Sequence, residues 1–89
     1  MDAELKQIIV PMFLEEAKKN IRAMLSFQEQ KEYKKIAAVA HKFKGQALIL
    51  SLDKIILICD EIEHSTNFKN IEDQLASLAL EFEVFKKSL

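Results

Sequence analysis

Glycine, proline and cysteine occur once each in this 89-residue chain, and tryptophan does not occur at all. With so few breakers and many Leu, Ile, Ala, Glu and Lys, the composition points to a soluble, all-helical protein. The single Cys59 excludes an intramolecular disulfide and fits a reducing compartment. Neither sign of charge is in excess: thirteen basic and fourteen acidic residues give a formal charge of −1. A nucleic-acid binder would normally carry a clustered basic surplus, so that class is set aside. Long hydrophobic runs are missing too. The richest, Ala47 to Cys59, is broken by Asp53 and Lys54 and falls short of the roughly 18–20 residues that a spanning helix needs. Asp2 and Glu4 stand where a secretory signal would place positive charge. The expectation is a cytoplasmic chain, monomeric by default, with neither nucleic acid nor membrane as a partner.

What is present is helical periodicity. The length allows one domain over residues 1–89 with a modest core. A first segment runs from Glu4 to about Gln28, with Phe13, Ala17, Ile21 and Met24 at three- and four-residue steps. Pro11 lies inside it, so either a short lead-in helix stops near Val10 or one helix is kinked there. A fresh start is favoured, because proline suits the first helical position. A second helix is expected from about Glu32 to Leu50 on the stripe Ile36, Val39/Ala40, Phe43, Ala47 and Leu50. Ser51 then reads as the N-cap of a third, Leu52 to about Ser65, apolar nearly all round and expected to be the most enclosed element. Thr66 or Asn67 is placed to cap a fourth, Lys69 to Lys87, which carries Ile71, Leu75, Leu78, Phe82 and Phe85. Short turns between such helices predict an antiparallel up-down-up-down four-helix bundle.

The unusual stretch is Ala40 to Ala47. At 100° per residue His41 lies about 200° from Phe43, on the side away from the apolar stripe. Its own face holds Lys34, Ala37, Ala38, Lys44, Gly45 and Leu48: small residues and lysines around one imidazole. Gly45 is the chain's only glycine, and a mid-helix glycine costs roughly 0.5–1 kcal/mol against alanine. Two explanations are open: close packing of a neighbouring helix, or close approach of an external partner, the latter favoured because Gly45 faces with His41. No Cys, carboxylate or second His stands one turn from His41 on its face, so a metal site is not expected. A convex stripe of Lys and Ala offers no pocket for acid–base work on a small substrate. A nucleophile meeting a protein-borne phosphoryl group needs only an exposed ring, a nearby cation and clear space.

His41-Lys42-Phe43-Lys44-Gly45, followed by Leu50, Leu52, Ile55, Cys59 and Ile62-Glu63, closely resembles the histidine phosphotransfer (HPt) domains of two-component phosphorelays. Pro11 to Ala17 also looks like that family's opening helix, so the resemblance covers nearly the whole chain. It implies that His41 accepts the phosphoryl group through Nε2, that Lys44 offsets phosphoryl charge, and that Glu63 holds His41 Nδ1–H. Lys34, Ala37, Ala38, Gly45 and Leu48 would then form the partner surface. The implied partners are response-regulator receiver domains or a hybrid sensor histidine kinase, with Mg²⁺ belonging to the receiver and no cofactor or metal on this chain. The protein would be a phosphoryl carrier, not an enzyme. Leu48, Ile49 and Ser51 depart from the family pattern, which often has small residues there and a glycine ten residues after the histidine.

A different class of reading makes the chain a helical interaction module without phosphotransfer, a degenerate member of the same family. Glu61-Ile62-Glu63-His64 is a weak echo of bundle metal motifs, with no second copy. Cys59 reads as a small core residue, and His64 as a solvated residue at a helix C-terminus.

Overall fold

Residues 2–89 are described by a computed structural model. Among the described residues there are four helices: α1 (Ala3–Glu29), α2 (Tyr33–Ile49), α3 (Asp53–His64) and α4 (Phe68–Lys87). Turns of three residues force each helix back along its predecessor, and α4 closes the ring against α1. The result is the expected antiparallel four-helix bundle.

Each helix buries one stripe. Phe13, Ala17 and Met24 from α1 meet Ile36, Ala40, Phe43 and Ala47 from α2. Ile55, Cys59 and Ile62 from α3 and Ile71, Leu75, Leu78 and Phe82 from α4 complete the core. Phe13 joins three helices, 5.9 Å from the Phe43 ring and in edge-to-face contact with Phe85 at 5.7 Å. A polar pair joins α1 and α2: Nδ2 of the buried Asn20 donates to Oε1 of the half-buried Gln46 at 2.7 Å. An amide that must find its partner fixes the register of α1 on α2 in a way apolar contacts do not.

Two expectations are corrected. The lead-in helix is not a separate element, for α1 runs unbroken through Pro11. Pro11 and Gln7, whose carbonyl loses its helical donor, are both exposed, so water can satisfy that group. Ser51 is not the N-cap of α3. It is the residue after the α2 C-cap, in the left-handed region with φ 55°, and α3 starts without a side-chain cap. As expected, α3 packs on more than one side, between α2 and α4, although Leu57 on its outer face is 58% exposed. A helix in a four-membered ring has two neighbours, so one face stays wet whatever its composition.

The first two turns share a design. Lys31 N–H donates to Gln28 O and Glu32 N–H to Phe27 O; likewise Ser51 N–H donates to Leu48 O and Leu52 N–H to Ala47 O. Both are Schellman C-caps, with Lys31 (φ 59°) and Ser51 in the left-handed position that glycine usually fills. The third turn is closed differently, by Asn67 Oδ1 accepting from the amides of Lys69 and Asn70 at the start of α4.

Candidate functional site

The candidate residues lie where the outer faces of α2 and α3 adjoin. The stripe that buries Ala40, Phe43 and Ala47 turns His41 outward, and its side chain is 70% exposed. Glu63, in the last turn of α3, sits directly across. His41 Nδ1 lies 2.6 Å from Glu63 Oε1, so in the neutral ring Nδ1–H donates and Nε2 keeps its lone pair. This is the ring's only side-chain hydrogen bond among the described residues.

Lys44, one turn after His41, points its ammonium at α3. Nζ donates to Glu63 Oε2 at 2.7 Å and to Asp60 Oδ1 at 3.0 Å. Glu63 therefore uses one oxygen for the imidazole and the other for the ammonium. The Lys44 bond, helped by the bond from His41, holds the Glu63 carboxyl below the usual glutamate range despite some desolvation. Hydrogen bonds to Glu63 and then Asp60 raise the Lys44 ammonium above its ordinary value. Lys44 also answers a local problem, because a carboxylate in the C-terminal turn of a helix faces the negative end of the backbone dipole. Behind the group, burial pushes the Cys59 thiol up to about 12.

Gly45 has nothing within 4 Å of where a Cβ would stand. No neighbouring helix needs that space, so close packing inside the bundle is excluded as the reason for it. Lys34, Ala38 and Leu48 are exposed along the same face and Ala37 is half-buried. His41, Lys44 and Glu63 form one hydrogen-bonded group, whereas Lys34 lies two turns before His41 and Leu48 one turn after Lys44 along α2. Leu48 does not stand alone: Ile49 is exposed beside it, and Met12 and Ile8 are exposed on α1. Ile9, Met12, Phe13, Gln46 and Ile49 line a groove between α1 and α2.

One member of this group was missed from sequence. Asp60 is the second carboxylate on Lys44; its position three residues before Glu63, on one face of α3, was the available signal. His64 packs beside Asp60, with Nδ1–H donating to the Asp60 carbonyl at 2.9 Å. Ligand atoms of Asp60, Glu63 and His64 lie within 4.8 Å of one another, yet both carboxylates already face Lys44.

The model of the Hpt domain family matches residues 9–87, nearly the whole chain. The chain belongs to this family. Comparison with curated proteins finds no match, nor does comparison with solved structures. As an Hpt domain it belongs to a class of phosphocarriers that work with receiver domains and kinases in phosphorelays. No helix among the described residues is long and apolar enough to cross a membrane.

Proposed function

We propose that this Hpt domain accepts a phosphoryl group on His41 from a receiver-domain aspartate, or from a sensor kinase, and passes it to a second receiver. The observation that carries the reading is the 2.6 Å contact between His41 Nδ1 and Glu63 on an exposed ring. A neutral imidazole attacks through the nitrogen without a proton, and Glu63 selects Nε2 for that role.

The Nε2 lone pair attacks the phosphorus of the aspartyl phosphate in line. The N–P bond forms as the bond to the aspartyl oxygen breaks, and the aspartate leaves as carboxylate. Nδ1 keeps its proton throughout, so the ring becomes cationic and Glu63 accepts a stronger hydrogen bond from it. Onward transfer reverses these events on another aspartate. Lys44 supplies positive charge beside the acceptor. Mg²⁺ and most of the catalytic groups belong to the receiver, which makes this chain a carrier and not an enzyme.

Partner docking uses the face around His41. Ala37, Ala38 and Gly45 keep the relief low, Lys34 offers charge at one end, and Leu48 offers an apolar contact at the other. Ile49 and Met12 extend that contact onto α1, away from the chemistry. A cytoplasmic monomer suits such a shuttle.

The test is intact mass after exposure to phosphoramidate. One acid-labile phosphoryl group is expected on the parent and on His64→Gln, and none on His41→Gln. Equal labelling of all three proteins, or of none, removes the carrier chemistry and leaves a helical binding module in its place.

A further inference from the structure

Lys44 stands one turn from the acceptor, yet its ammonium does not turn toward His41. It reaches across to α3 and lies between two carboxylates, with its side chain only 20% exposed. Of those carboxylates, Glu63 has a partner of its own in His41. Asp60 makes no bond to the imidazole; its Oδ1 contacts Lys44 at 3.0 Å and stands 3.5 Å from His64 Nδ1.

We propose that Asp60 is a positioning residue for phosphoryl transfer. It holds the Lys44 ammonium on the α3 side, so that the cation braces Glu63 instead of closing on the phosphoryl group. The inference rests on the reading of His41 as acceptor and adds a determinant of how readily the group departs.

The physical argument is a competition for one cation. A phosphoryl group on Nε2 brings up to two negative charges to the turn of α2 next to Lys44. The lysine stem is long and its ammonium has three donors, so it could reach that group. Two carboxylates on α3 oppose the move, and Asp60 supplies one of their two charges. Replacing Asp60 by a neutral amide weakens the hold from α3 and frees Lys44 to pair with phosphoryl oxygens. That pairing lowers the energy of the phosphohistidine. With Asp60 in place the dianion is less well neutralised and is released more readily, which suits a carrier.

The experiment is the lifetime of phosphorylated protein. Phosphoramidate is the donor: His41 Nε2 attacks phosphorus, the donor P–N bond breaks, and ammonia leaves. After donor removal at neutral pH and low salt, water cleaves the His41 N–P bond, inorganic phosphate leaves, and loss of the added mass is followed. Asp60→Asn is expected to lengthen the half-life roughly two- to fivefold, the range open to a partly exposed ion pair, with Asp60→Ser moving it the same way. Asp60→Glu keeps a carboxylate and stays near the parent. The gain disappears when Asp60→Asn is made in a Lys44→Met background, an outcome that a merely structural effect of Asp60 would not produce. Equal half-lives in parent and Asp60→Asn overturn the inference, as does a gain that persists without Lys44. A parent that takes no label on His41 overturns the acceptor reading itself, and the inference falls with it.

Discussion

Glu63 carries its charge in the C-terminal turn of α3, where the carbonyl ends of the helix oppose it. Lys44 relieves that opposition and gives the carboxylate its pH signature. With its pKa lowered in the folded state, Glu63 binds fewer protons folded than unfolded. Its stabilising contribution is complete above the ordinary value of 4.5 and is lost as pH falls through the lower folded value. Lys44 behaves oppositely: its contribution is present below 10.5 and lost as pH rises through the raised folded value. Glu63→Gln should therefore unfold at lower denaturant concentration than the parent at pH 7. The gap should be small, close as pH drops below 4.5, and shrink in salt because these groups are partly exposed. The same variant should label more slowly with phosphoramidate, since an amide does not select the Nε2-reactive tautomer as strongly. At Gly45 the expectation runs the other way. A methyl group there meets open space, so Gly45→Ala should raise unfolding stability by roughly 0.5–1 kcal/mol. Labelling of His41 by a small donor should be unaffected, and transfer from a protein donor should slow.

At the scale of elements, the helices were legible from periodicity and their ends less so. The stripes on α1, α2 and α4 are the ones that pack, because spacing of apolar residues fixes which side of a helix leaves water. Pro11 misled because a proline at an exposed position can sit inside a helix whose buried face is intact. Ser51 misled because a serine before an apolar run looks like an N-cap, while a three-residue turn makes it the left-handed residue ending α2. That geometry also explains why a glycine often stands ten residues after the histidine in the family pattern, at the position Ser51 fills. The chain's only glycine sits in a helix, and the two left-handed positions among the described residues are held by lysine and serine. Left-handed backbone costs a residue with a Cβ roughly 1–2 kcal/mol. Ser51→Gly should accordingly stabilise the fold by about 1 kcal/mol, partly offset by the greater freedom of glycine in the unfolded chain. Denaturant melts of Ser51→Gly and Lys31→Gly measure this, and a loss of stability in both would contradict the Schellman assignment.

For the molecule as a whole, Cys59 reports on the integrity of the bundle. It is fully buried, with its thiol pushed up to about 12, and only the thiolate reacts. Iodoacetamide at pH 7 should leave the folded protein unmodified and alkylate it in denaturant. The native rate then measures how often α3 opens. Rapid native alkylation would mean that α3 is less well packed than described.

Composition and spacing by themselves determined an all-helical chain, the apolar stripes of α1, α2 and α4, and a histidine, lysine and glycine turned away from the core. Those are local properties: rotation per residue and the exclusion of apolar groups from water need no partner to be read. The tertiary structure decided which charges meet. Glu63 and Asp60 are distant from Lys44 in sequence, and only the pairing of α2 with α3 brings both carboxylates within 3.0 Å of its ammonium. It also decided that the space beside Gly45 is open to solvent and not filled by another helix. Contacts between helices depend on register and on where turns end, and in this chain those were set by the Asn20–Gln46 amide pair and two left-handed residues that periodicity does not encode.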